Sequence, residues 1–205
     1  MKIELQQVGK RFNRQWLFKN ISYQFLENKS YAIIGNNGSG KSTLLQMIYG
    51  FQTISQGKII IQNEGIKIPD DQIHQHSSYV APYLELLEEL TLVEMLHFHF
   101  QFKERLRNIS IDEMIVLCKL ENSRNKQVKL FSSGMKQRLK LALAFFSDSP
   151  LVFLDEPCSN LDMQGIDWYQ EMVASIVGKC TLIVASNQSY EYDFCDGKRK
   201  VEEFK

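Results

Sequence analysis

The stretch Gly35-Asn36-Asn37-Gly38-Ser39-Gly40-Lys41-Ser42-Thr43 matches the pattern G-x-x-x-x-G-K-[ST] in full. Each residue type there has a use in holding phosphate. Glycines at 35, 38 and 40 permit left-handed backbone angles and close approach to a ligand. Successive N–H groups can then form a concave nest for anionic oxygens, backed by the positive end of a following helix. Lys41 carries a compact charge toward the β- and γ-phosphates, and the Ser42 hydroxyl can complete the shell of a Mg2+ ion. Later in the chain, Leu151-Val-Phe-Leu-Asp155-Glu156 is an apolar run ending in two adjacent carboxylates. Asp155 suits metal holding, and Glu156 is placed to orient or deprotonate an attacking water. These groups predict a nucleotide site with Mg2+ and hydrolytic chemistry at the terminal phosphate.

Such a site needs strands and helices to carry it. Tyr31-Ala-Ile-Ile34 is a short apolar run ending at Gly35, as a buried central strand feeding a turn would be. Thr43 to Tyr49 reads as a helix that stops at Gly50. Lys2–Gln6 and Ile21–Phe25 mix apolar and polar residues like partly exposed antiparallel strands, and two segments starting at Gly57 and Gly65 predict a hairpin around Asn63-Glu64. From Leu84 to Phe146 the pattern turns helical, with Leu92, Met95, Leu96 and His99, then Leu139, Ala142, Leu143 and Phe146, at helical spacing. Leu151–Leu154 and Thr181–Ala185 read as buried strands separated by a helix over Met163–Val177. The expected fold is α/β. It has a P-loop NTPase core with a mostly parallel sheet, an N-terminal antiparallel β subdomain, and a helical subdomain over about 84–146 inserted within one domain spanning 1–205.

Composition narrows the classes. The 205 residues are 44% hydrophobic and 23% charged, in the range of an ordinary globular protein with a sizeable core. The 24 basic and 24 acidic side chains cancel, so no charge excess points to nucleic acid as a partner. No run approaches the roughly eighteen apolar residues that a membrane span requires. The first residues, Met-Lys-Ile-Glu-Leu, lack the apolar region of a secretory signal, and a chain without a leader is expected. Cys118, Cys158, Cys180 and Cys195 show no CxxC spacing and are expected to be free buried thiols.

Phe131-Ser132-Ser133-Gly134-Met135-Lys136-Gln137-Arg138 resembles the LSGGQ signature of ATP-binding cassette (ABC) proteins, with Ser132 and Gly134 kept. Leu154-Asp-Glu-Pro157 and Ser159-Asn-Leu-Asp162 also resemble that family's pattern, in the same order along essentially the whole chain. Ser132 sits where an N-cap would, ahead of a run of strong helix formers. The resemblance implies an ATP-binding and ATP-hydrolysing subunit that powers a separate transmembrane permease of an ABC transporter. It implies a cytoplasmic location, peripheral at the inner face of the cell membrane through that permease. It also implies a head-to-tail homodimer or heterodimer, in which Ser132 and Gly134 of one chain meet the ATP held by residues 35–43 of the other. By the same resemblance Phe12 stacks on adenine, with Trp16 a poorer candidate, and Asp162 reaches across the dimer. Tyr83, Leu84, Leu86 and Leu87 either line a groove for a permease helix or belong to the helical subdomain's own core.

Two departures from the family's pattern bear on catalysis. Pro82, in Ser78-Tyr-Val-Ala-Pro82-Tyr83, falls where a glutamine that touches Mg2+ is usual, so that contact is absent or supplied by a neighbour. Asn187 falls where a histidine usually contacts the γ-phosphate; it can donate a hydrogen bond there but carries no charge. Binding and closure are expected to survive, with slower hydrolysis. The competing reading is a permease-independent cassette ATPase acting on ribosomes or nucleic acid. Such proteins usually add a second cassette, a long coiled coil or basic extensions, none of which is read here.

Overall fold

The computed structural model describes residues 1–107 and 109–205. Strands β1 (Lys2–Phe12) and β2 (Gln15–Phe25) form an antiparallel hairpin in which Ile3 pairs with Phe25 and Phe12 with Gln15. Both run several residues beyond the cores visible in the sequence. Next come β3 (Ser30–Ile34), α1 (Lys41–Tyr49), β4 (Gln56–Asn63) and β5 (Ile66–Lys67). Gly50 ends α1 at φ 97°, the left-handed stop its sequence predicts. The first sheet, ordered β2-β1-β4-β5, is antiparallel throughout.

The short helix α2 (Ile73–His76) leads into β6 (Ser77–Val80). Helices α3 (Leu92–His99), α4 (Ile111–Leu117) and α5 (Ser133–Phe145) follow, then β7 (Leu151–Asp155), α6 (Met163–Ala174), β8 (Thr181–Ser186) and β9 (Gly197–Lys200). The second sheet has the order β6-β7-β8-β3-β9, and every neighbouring pair is parallel. Strands β7 and β8 are buried along their whole length, which is why they read as continuous apolar runs. Successive residues serve opposite faces. Phe153 and Ile183 join Ile3, Phe25, Leu44 and Ile48 between the two sheets, while Leu154 and Val184 pack with Phe145, Trp168 and Tyr169 on the other side. A third cluster around Leu92, Leu96, Met114, Val128, Leu139 and Phe146 holds the α3–α5 region together.

Several boundaries differ from those read in the sequence. Helix does not begin at Leu84. It begins at Leu92, where Thr91 and Glu94 cap each other reciprocally and fix the start. Helix α6 ends at Ala174 rather than Val177, because Val177 is drawn into a bridge with Cys180. Strand β9, Gly-Lys-Arg-Lys, carries no apolar pattern to betray it, and main-chain pairing with β3 alone makes it a strand. The four cysteines are free and buried, and burial raises their thiol pKa values. No helix among the described residues is long and apolar enough to cross a membrane, and none of their His, Cys, Asp and Glu side chains cluster as a metal centre.

This topology fixes where chemistry can occur. Ile34 lies level with Ser186, and Asp155 with Ala185, in adjacent parallel strands. The segments that follow β3, β7 and β8 therefore leave the sheet along one edge. Crevices at the carboxyl ends of parallel strands are where open α/β sheets bind ligands.

Candidate functional site

The loop after β3 wraps around its own lysine. Lys41 is almost fully buried, and its ammonium donates to the carbonyls of Gly35 at 2.9 Å and Asn36 at 3.2 Å. An ammonium has three donors, so one is left for a ligand. Gly38 and Gly40 have φ of 74° and 108°, the left-handed angles expected of them. Gly35 does not share that reason. A Cβ there would lie 2.7 Å from both Ser39 Oγ and Val201 Cγ1, so the position needs space rather than an unusual angle. Ser39 Oγ is the one buried side-chain polar atom among the described residues without a hydrogen-bond partner. An orphan hydroxyl beside an ammonium with one donor to spare, in a loop that begins a helix, fits an anionic ligand of phosphate type.

Asp155 ends β7 and is 1% exposed. Its Oδ1 accepts from Ser42 Oγ at 3.0 Å, which joins the loop to the acidic strand end. Burial raises the Asp155 pKa most, and neighbouring Glu156 adds to it; hydrogen bonds from Ser42 and Tyr83 and the Lys41 charge oppose this. A carboxylate and a hydroxyl at this distance are an oxygen set suited to a small hard cation such as Mg2+. Glu156 follows at φ 46°, a left-handed angle costly for a residue with a side chain, and its amide donates to Ala185 O at 2.9 Å. The strained turn holds the second carboxylate at the sheet edge.

The loop after β8 meets the same place. Asn187 Nδ2 donates to Asn37 Oδ1 at 3.1 Å, so the position read as a phosphate contact lies against the glycine-rich loop. Phe12 is 47% exposed, with the Lys10 ammonium 4.8 Å from its ring centroid. Trp16 is also exposed, so neither aromatic is a core residue. Ser132 caps α5 as its sequence predicts, its Oγ accepting from Met135 N at 3.2 Å. A Cβ on Gly134 would come within 3.0 Å of Asn160 O, so glycine there lets the backbone at Asn160 pack close against the helix start. Among the described residues no hydrogen bond joins Ser132 or Gly134 to residues 35–43, so the capped start of α5 and the glycine-rich loop stand apart within the chain. Asp162 caps α6 by accepting from Gly165 N at 2.8 Å and pairs with Arg138 at 3.7 Å.

Three residues at or behind the site escape the sequence reading. Tyr83, weighed there only as part of an apolar wall, donates its hydroxyl to Asp155 Oδ2 at 3.3 Å. Gln46 donates to that same hydroxyl at 2.7 Å. Glu191 is 3% exposed, accepts from Cys158 N at 2.7 Å and also from Ser186 Oγ, and so ties the turn after β7 to the end of β8. The only signal in the sequence was that Tyr83 directly follows the anomalous Pro82. The segment behind it divides: Leu87 is exposed, Leu86 packs on the helical cluster, and Leu84 and Leu86 line a cleft with Tyr79, His99 and Lys103.

Comparison with known proteins places this geometry. A family model described as "ABC transporter" matches residues 18–159. The chain is 28% identical over 202 residues to the uncharacterised ABC transporter ATP-binding protein YybJ of Bacillus subtilis, covering 95% of this chain and 89% of YybJ. It is 29% identical over 164 residues to the uncharacterised ABC transporter ATP-binding protein YhcH of the same organism, covering 80% of this chain and 54% of YhcH. Among solved structures, the dimeric post-hydrolysis state of an ATP-binding cassette bound to ADP and Pi has the same fold, with a TM-score of 0.82. Its sequence is 21% identical, and the match covers 97% of this chain and 93% of that one.

Proposed function

This chain belongs to the ABC transporter family, and from that premise we propose that it is a subunit that binds and hydrolyses ATP to drive a separate membrane permease. The observation carrying this reading is the junction of Lys41, Ser42 and Asp155 at one strand edge, where a buried ammonium and a hydroxyl–carboxylate pair 3.0 Å apart converge. In this reading the amides of residues 35–43 and Lys41 hold the β- and γ-phosphates. Ser42 and Asp155 hold Mg2+, which when bound draws charge from the phosphate oxygens. Glu156 orients or deprotonates a water whose oxygen bonds to the γ-phosphorus as the bond to the β–γ bridging oxygen breaks, releasing ADP and phosphate. Asn187 donates a neutral hydrogen bond to a γ-phosphate oxygen, and exposed Phe12 stacks on the adenine.

The second device, Ser132 and Gly134 at the start of α5, serves the nucleotide of another cassette. The ATP then lies between two chains packed head to tail, either two copies of this one or this one and a related partner. Closure around ATP moves a permease held at the inner face of the membrane. Co-purification on a tagged chain tests this: a protein with several membrane spans, in a complex that turns over ATP, is the expected result. Ribosomes or nucleic acid in place of a membrane protein would favour the permease-independent reading, and a complex unable to hydrolyse ATP would overturn the ATPase.

A further inference from the structure

Pro82 leaves the site without the glutamine expected after β6, and a phenol stands beside the gap. Tyr83 Oη donates to Asp155 Oδ2 at 3.3 Å, while Ser42 Oγ donates to Oδ1 at 3.0 Å. Both oxygens of one buried carboxylate are thus held by hydroxyls from different segments of the chain. The phenol is itself fixed, accepting from Gln46 Nε2 at 2.7 Å and lying 2.9 Å from the Tyr79 hydroxyl. A phenolic oxygen has one proton to give and two lone pairs. If Tyr79 donates, all three are used, and Tyr83 has a single orientation. Gln46 stands one helical turn after Ser42 on α1, so the helix that presents the serine also positions the phenol. Tyr83 is nevertheless 50% exposed.

We infer that Tyr83 is a positioning residue for the metal end of the nucleotide site. It holds Asp155 Oδ2 and so keeps Oδ1 turned toward Ser42 and the cation. The inference rests on the nucleotide reading given above. Groups that orient a metal ligand from behind commonly change metal affinity by about 10–100-fold when removed.

The test separates the metal from the nucleotide. ATP affinity is measured in EDTA, and Mn2+ affinity is measured by electron paramagnetic resonance on protein loaded with a non-hydrolysable ATP analogue. In Tyr83→Phe, ATP affinity in EDTA is expected to stay within about twofold of the parent, while Mn2+ affinity falls about tenfold. Tyr83→Gln, which restores a polar group, is expected to recover part of that loss. Unchanged Mn2+ affinity in Tyr83→Phe overturns the inference, as does an equal loss of ATP affinity in EDTA, which would place Tyr83 in the phosphate cradle instead. Should Tyr83→Phe fail to fold, Tyr79→Phe loosens the same hydroxyl from one step away; a smaller loss of Mn2+ affinity is expected, and no loss overturns the inference. A parent that binds no ATP even without metal defeats the nucleotide reading itself.

Discussion

Asn187 Nδ2 donates to Asn37 Oδ1 at 3.1 Å, linking residues 150 positions apart across the mouth of the glycine-rich loop. In the proposed site a neutral amide therefore occupies the loop after β8, at the position expected to meet the γ-phosphate. Charge-assisted hydrogen bonds are roughly twice as strong as neutral ones, a gain of about 1 kcal/mol, or about fivefold in rate if realised in the transition state. Asn187→His is accordingly expected to raise ATP turnover about fivefold below neutral pH, where the imidazole is charged. Steady-state phosphate release from parent and variant decides the matter, and an unchanged rate would remove Asn187 as a limit on hydrolysis.

Lys41 and Glu156 are expected to separate binding from chemistry. Lys41→Ala removes a charged donor worth about 1.5–3 kcal/mol and is expected to weaken ATP binding about 10–100-fold. Glu156→Gln keeps size and polarity, so binding is expected to persist while hydrolysis falls about 100-fold or more and the ATP-bound dimer accumulates. Calorimetric titration with ATP and a sedimentation profile measure both. Full ATP affinity in Lys41→Ala would falsify the site assignment.

Ser132 distinguishes a helix cap from a contact with a second chain. Its Oγ accepts from Met135 N at 3.2 Å, and loss of such a cap costs about 1 kcal/mol. Ser132→Ala is expected to lower the melting temperature modestly and, in addition, to weaken ATP-induced dimerisation. Ser132→Asn retains capping ability but alters the group offered to phosphate; it is expected to restore stability without restoring the dimer. Recovery of both together would reduce Ser132 to a cap.

His99 gives the fold a dependence on acid. Burial, and secondarily the Lys103 ammonium, hold its pKa down to about 4, below the ordinary 6.5. The folded state therefore favours the neutral ring, and protonation favours the unfolded chain. The stability involved is intact above pH 6.5 and is progressively lost as pH falls toward 4. His99→Gln cannot take up that proton. The fall in melting temperature between about pH 7 and pH 5 is expected to be smaller in the variant than in the parent. An identical fall in both would show that other groups carry the acid response.

What the sequence by itself determined depends on neighbours along the chain, although the local Thr91–Glu94 cap that starts α3 was not read from it. Residues 35–43 read as a phosphate cradle because glycine, lysine and serine stand there within a few residues of one another. The continuous apolar runs of β7 and β8 announced buried parallel strands, and Ser132 announced a helix start, because burial and capping are local patterns. Strand β9 was invisible for the converse reason, since only its pairing with β3 makes Gly-Lys-Arg-Lys a strand.

What the tertiary structure decided is which distant residues meet. The order β6-β7-β8-β3 brings the ends of four strands together, and no local periodicity encodes that order. It puts Tyr83 on Asp155 from 72 residues away and Glu191 beneath Cys158. It also shows that Gly35 is required for the room it leaves to Ser39 in its own loop and to Val201, the second a demand set by a side chain that arrives from the far end of the chain.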